Sequence, residues 1–226
     1  MFLFKPHFKG LGIDISGLSF NNPVGLCRQG EPLRTRHLTG LGLGFLTLTP
    51  DTENILAWIQ QLAEQRRNKD LLLGVNLKKD IEHSFSLVYD FADFIIIDTD
   101  SNEGIGSVDL PDIPDLLDEL LNLRLCYEHF TPVFLRIPSG LTVEEQQSLL
   151  SYCQLSGING IVVAGAGAVH QVLELTQRRI PVMGTASSPE QAHSMLQDGA
   201  SLVEMDVRPP LALKLLKILE KEAKKT

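Results

Sequence analysis

The feature that most constrains this chain is a short apolar run closed by a polar side chain, repeated along its length. Leu71-Leu72-Leu73-Gly74-Val75-Asn76 states it, and Phe94-Ile95-Ile96-Ile97-Asp98 and Pro132-Val133-Phe134-Leu135-Arg136 repeat it, while Gly160-Ile161-Val162-Val163 keeps the apolar run. Each run is too short for a buried helix and lacks an alternating polar face, so each reads as a strand covered on both sides. The segments between them are long enough for one helix each. Buried strands alternating with helices predict a parallel sheet, and in a closed barrel the polar residues at the strands' C-terminal ends gather at one mouth.

Counting along the chain gives eight strands. Before the first of them, Gly12-Ile13-Asp14-Ile15-Ser16-Gly17-Leu18-Ser19-Phe20 alternates around a Ser-Gly pair and predicts a hairpin plugging the barrel floor. Val24-Gly25-Leu26-Cys27, Gly44-Phe45-Leu46-Thr47-Leu48, Pro181-Val182-Met183-Gly184 and residues 201–205 supply the strands not already named. Helices are expected over 31–39, with Gly40 as C-cap, and over 53–67, where Thr52 caps and Ile55, Leu56, Ile59 and Leu62 share one face. Further helices are expected over 80–89, 111–130, from Thr142, after Gly167, from Ser188, and over 209–222. Thr142-Val143-Glu144-Glu145 has capping-box spacing, and Pro209 suits a first helical turn. The predicted fold is an α/β (β/α)8 barrel of 226 residues in one domain, with residues 1–22 forming an N-terminal arm and hairpin.

Composition narrows the function classes. A net charge of −8 disfavours a nucleic-acid or acidic-lipid surface. Cys27, Cys126 and Cys153 are far apart with no CxxC pair, and the six histidines show neither HxxxH nor HExxH spacing, so no metal site is expected. No apolar run approaches the roughly 20 residues of a membrane span. Met1-Phe2-Leu3-Phe4 is interrupted by Lys5-Pro6-His7 and reads as an arm on the barrel rather than a leader. A cytoplasmic protein is the expectation.

The run Gly17-Leu18-Ser19-Phe20-Asn21-Asn22-Pro23-Val24-Gly25-Leu26 resembles the opening of dihydroorotate dehydrogenases. So do Gly40-Leu41-Gly42-Leu43-Gly44-Phe45, Leu48-Thr49-Pro50, Leu73-Gly74-Val75-Asn76, Ala92-Asp93-Phe94-Ile95-Ile96-Ile97, Gly157-Ile158-Asn159-Gly160-Ile161-Val162 and Asp198-Gly199-Ala200-Ser201-Leu202-Val203-Glu204, in the family's order. That family oxidises dihydroorotate to orotate through bound FMN. The resemblance makes Asn76 a flavin and substrate contact. It places Gly184, followed by Thr185, at a turn gripping the FMN phosphate, and Asp98 and Arg136 where the family has an asparagine and a lysine at the flavin. Ser101 is the one hydroxyl in the loop that carries the family's general base.

The departures fall on the chemistry. The substrate-clamping loop after Thr49-Pro50 is absent, and the lysine after the first strand is missing from Cys27-Arg28-Gln29-Gly30. The turn after strand six is Ala164-Gly165-Ala166-Gly167, where Gly165 suits either an anion at a helix N-terminus or close helix–strand packing. Asp98, Asp100 and Asp206 are expected on one rim. A carboxylate about 4 Å from a phosphate costs about 4 kcal/mol at an effective dielectric near 20, unless Arg136 or Arg208 offsets it. Asn76 suits a ligand group or a turn former, and Arg136 a ligand contact or an ion pair with Asp98 or a neighbouring carboxylate. Two functions follow: an FMN-linked oxidoreductase of altered or feeble activity, or a non-catalytic binding or assembly barrel. The partners left open are a small molecule at the mouth and a second copy in a homodimer.

Overall fold

A computed structural model describes residues 10–29, 41–50, 55, 57–58, 71–99 and 110–225. The hairpin is β1 (Ile13–Ile15) and β2 (Leu18–Phe20), antiparallel, with Ser16 and Gly17 at positive φ in its turn. Eight parallel strands then close a barrel in chain order: β3 (Val24–Gln29), β4 (Phe45–Thr49), β5 (Leu72–Leu77), β6 (Phe94–Asp98), β7 (Val133–Arg136), β8 (Gly160–Ala164), β9 (Val182–Ala186) and β10 (Leu202–Met205), which pairs back with β3. The described helices are α1 (Ile81–Val88), α2 (Ile113–Arg124), α3 (Val143–Ser156), α4 (Ala166–Leu175), α5 (Pro189–Gln197) and α6 (Pro209–Ala223). The predicted helix over 31–39 lies outside the described residues. That over 53–67 is described only at Ile55, Ala57 and Trp58, which are helical.

Period-two alternation sends each strand's residues to two different cores. The outward set, including Leu46, Val75, Ile95, Ile97, Leu135, Ile161 and Val203, packs against the helices. The inward set fills the lower barrel: Phe45, Phe94, Ile96, Phe134, Val162, Met183 and Leu202, sealed from below by Ile15 and Phe20 of the hairpin. Three of these aromatics are accommodated in one way. Gly25, Gly74 and Gly160 sit directly across the ladder from Phe45, Phe94 and Phe134. A Cβ on those glycines would come within 2.3, 2.3 and 1.8 Å of the facing ring. Each ring therefore lies over a bare backbone, and edge or tilted contacts link Phe20, Phe45, Phe94 and Phe134 at 5.5–6.1 Å. With the floor closed by aromatics, the inward polar residues are left to the upper layer.

The capping signals at Thr142 and Ser188 are present as expected, while those at Gly40 and Thr52 lie outside the described residues. Thr142 Oγ1 accepts from the Glu145 amide while the Glu145 carboxylate accepts from the Thr142 amide, and Ser188 Oγ accepts from the Gln191 amide. Two boundaries differ from expectation. The predicted helix over 111–130 ends at Arg124, because Tyr127 turns back to stack on buried Tyr89 with centroids 4.0 Å apart. The Tyr89 hydroxyl donates to the His129 carbonyl and accepts from the Thr131 amide, fixing that chain path. Strand β3 continues through Arg28 and Gln29, so residues read as a loop are part of the barrel wall.

Candidate functional site

The upper layer of inward side chains opens at the C-terminal ends of the strands into a cavity of about 320 Å3. Its walls carry Cys27, Thr47, Thr49, Asn76, Asp98, Arg136, Thr185 and Glu204, with Arg28, Lys78 and Asp206 toward the rim. This position follows from the fold: the same alternation that turns Leu202 into the floor turns Glu204 into the mouth.

Arg136 spans the centre. Its Nη2 donates to Glu204 Oε1 at 2.5 Å, its Nη1 donates to Thr185 Oγ1 at 2.7 Å, and its Nε lies 3.0 Å from Asp98 Oδ2. The Nε contact is an ion pair whose angle is too poor for a hydrogen bond. Thr185 Oγ1 in turn donates to Glu204 Oε1 at 2.9 Å. Side-chain exposures of 12% for Arg136, 2% for Asp98 and 0% for Glu204 make this a buried charge triad. Burial pulls the guanidinium's pKa down, but Glu204 and Asp98 more than offset it and hold Arg136 above the usual arginine value.

The expected pairing of Arg136 with Asp98 is thus present, but Glu204 forms the shorter contact and was missed by the sequence reading. The signal was available, since a carboxylate inside the apolar run of β10 shares its face with Leu202. The rim acids also differ from expectation. Asp206, expected to repel an anion, is paired with Arg28 at 3.2 Å, and Arg28 also donates to the carbonyls of Cys27 and Val207. Lys78, not singled out in the sequence, stands half exposed with Nζ 3.7 Å from Asp98 Oδ2. Asp100 and Ser101, the suggested base, lie outside the described residues.

Asn76 Nδ2 donates to Asp98 Oδ2 at 2.9 Å and to Thr49 Oγ1 at 3.2 Å, which points its Oδ1 away from them. That Oδ1, Thr47 Oγ1 and Glu204 Oε2 are buried with no hydrogen-bond partner among the described residues. A buried polar atom left unsatisfied costs about 1–3 kcal/mol, so three in one cavity single it out as the candidate site. Cys27 lies beside them. Burial first, then the carboxylates of Glu204 and Asp206, push its thiol up to about 12, so it is not a thiolate nucleophile near neutral pH.

The two glycines of interest stand apart from this cluster. Gly184 lies within β9, which runs on to Ala186, so it sits in the ladder rather than in a turn. A Cβ there would come within 2.6 Å of Met195 Sδ on α5, which accounts for the glycine by packing. Gly165 is different. It has φ +93° at the start of α4, and an added Cβ would touch nothing, so conformation and not close packing requires it. At the start of α5 two amides are already used: Ser187 N–H donates to Gln191 Oε1 and Gln191 N–H to Ser188 Oγ. No group of three or more His, Cys, Asp or Glu suited to a metal occurs among the described residues. His83, His170 and His193 lie on helices α1, α4 and α5, the last paired with Glu222. No described helix is long and apolar enough to cross a membrane.

No family model matches the chain. Among curated proteins it is similar to the dihydroorotate dehydrogenase (quinone) of Christiangramia forsetii, 21% identical over 85% of this chain and 78% of that one. It is likewise similar to that of Coxiella burnetii, 25% identical over 84% of this chain and 71% of the relative. Among solved structures, dihydroorotate dehydrogenase of Eimeria tenella in complex with ferulenol superposes with a TM-score of 0.77 at 15% identity, covering 97% of this chain and 86% of that one. A truncated 3-deoxy-D-arabino-heptulosonate 7-phosphate synthase of Thermotoga maritima gives 0.64 at 16% identity, over 95% and 92%. These structural likenesses establish the barrel.

Proposed function

We propose, taking this chain as a shortened dihydroorotate dehydrogenase-like barrel, that its mouth binds a small polar molecule and that FMN-linked oxidation of dihydroorotate has been lost. The observation that carries this reading is the hold on Arg136. All three of its nitrogens lie against protein oxygens of Asp98, Thr185 and Glu204, so the central cation is held by the protein's own carboxylates and its charge is not reserved for a flavin or a carboxylate substrate. A lysine at this position could reach a ring edge and withdraw; a guanidinium forked between two buried carboxylates cannot do so without leaving both unpaired.

Two further features support the reading. The residues at the phosphate end suit FMN poorly, because two of the amides at the start of α5 that would face a phosphate, those of Ser187 and Gln191, are bonded to Gln191 and Ser188 side chains. The cavity of about 320 Å3 also lies at the small end of the roughly 300–1,000 Å3 range of ligand sites, close for a tricyclic ring with its ribityl phosphate. What remains is a polar cup whose walls hold a small molecule and fix its orientation.

A second reading, a retained flavin oxidoreductase, is favoured by one observation. Asn76 and the Lys78 ammonium both line the mouth, a polar pair that a flavin ring could use. One preparation decides between them. FMN is titrated into purified protein and followed by its fluorescence, and dihydroorotate consumption is measured with FMN and a quinone supplied. The expected result is no saturation in the low micromolar range and no turnover above the protein-free control. Stoichiometric flavin binding with turnover would replace the binding-barrel reading by the second.

A further inference from the structure

We infer that the mouth receives its ligand through a cationic N–H donor, an amidinium or ammonium end, and not through an anionic one. This rests on the reading of the mouth as a small-molecule site and adds the polarity of what enters it. Of the four buried polar atoms here that make no hydrogen bond among the described residues, Arg136 Nε is compensated by the Asp98 carboxylate at 3.0 Å, and the other three can accept. Glu204 Oε2 and Asn76 Oδ1 can only accept, and Thr47 Oγ1 can accept or donate; all three belong to side chains at least nine-tenths buried on the wall of one cavity.

The orientation of Asn76 is not open to exchange. Flipping its amide would set Oδ1 against the Asp98 carboxylate and give up the 2.9 Å hydrogen bond, so the acceptor is the atom held free. Glu204 is likewise committed on one side only, with Oε1 taken by Arg136 and Thr185 and Oε2 left over.

Charge points the same way. The buried layer holds two carboxylates, Asp98 and Glu204, against one guanidinium. Arg28 is engaged by Asp206 and two carbonyls, and Lys78 sits half exposed at the rim, 3.7 Å from Asp98. The buried layer of the mouth, Lys78 at the rim aside, is therefore net negative by one, and a cation with N–H donors would both satisfy the acceptors and compensate the charge. An anion would meet the Glu204 carboxylate, beside a guanidinium whose charge is already shared by Glu204 and Asp98. The rim lysine leaves room for a ligand with an acidic group at its outer end.

The test uses three probes of one shape and different charge: benzamidine, benzamide and benzoate, each titrated calorimetrically into the full chain. Benzamidine is expected to bind, and benzoate to bind at least about tenfold more weakly. Glu204→Gln should weaken benzamidine about tenfold or more, and Thr47→Val about fivefold. Thr47→Val is needed because Glu204→Gln also disturbs the hold on Arg136, whereas Thr47 Oγ1 makes no hydrogen bond to Arg136 or its partners among the described residues. Benzoate binding as tightly as benzamidine, no saturation with any of the three, or benzamidine affinity unchanged in both variants would overturn the inference. These outcomes are separable from the FMN titration, which tests the underlying reading whichever probe is preferred.

Discussion

Removing the Arg136 guanidinium should be the most damaging single change at the mouth. Arg136→Leu leaves Asp98 and Glu204, with side-chain exposures of 2% and 0%, without their shared cation. Breaking a buried ion pair from one side costs about 3–5 kcal/mol, chiefly from the stranded charge. Lys78 at 3.7 Å can relieve Asp98 in part, but among the described residues no second cation pairs with Glu204, so a loss of about 4 kcal/mol is expected. For a chain of this size that corresponds to a fall in Tm of roughly 8–16 °C. The geometry also predicts the pattern of rescue. Arg136→Leu with Asp98→Leu should recover only part, since Glu204 remains unpaired, while adding Glu204→Leu should recover most of it by replacing the whole triad with apolar side chains. Urea denaturation and thermal melts of the single, double and triple variants measure this. A single-variant loss below about 1 kcal/mol, or full recovery in the double variant, would refute the three-way hold.

Other outcomes follow from the same structure. Gly74→Ala should lower stability by about 1–3 kcal/mol, because its Cβ meets the Phe94 ring at 2.3 Å, whereas Gly167→Ala, in helix α4 with open space around it, should raise stability by about 0.5–1 kcal/mol in parallel melts. Among the thiols, exposed Cys126 should react with a disulfide reagent at pH 8 well before Cys27 and Cys153, whose thiols burial pushes up to about 12. Because those folded values lie above the unfolded ones, their contribution to stability is fully present below about pH 9 and is lost as pH rises toward 12; melts that stay flat over that window in the wild type but change in Cys27→Ser would contradict the assignment.

What the sequence determined by itself is the barrel. Runs such as Phe94-Ile95-Ile96-Ile97-Asp98 are apolar on both faces, and only a parallel sheet wrapped in helices buries both. Local chemistry was equally legible: the capping box at Thr142, the cap at Ser188 and the hairpin turn at Ser16-Gly17 depend on neighbours a few residues apart. The pairing of Arg136 with Asp98 was legible too, because both end adjacent strands at one mouth. Glu204 lies 68 residues from Arg136, and nothing local ties them. They meet because the barrel closes β10 onto β3 and turns alternate residues inward, bringing opposite walls within reach of one guanidinium. The same closure decided that Gly25, Gly74 and Gly160 serve three phenylalanine rings, and that Asn76, Thr47 and Glu204 share one cavity with acceptors to spare. Pairing through backbone and capping is written in sequence neighbours; convergence across a closed sheet depends on register and curvature, which only the folded chain supplies.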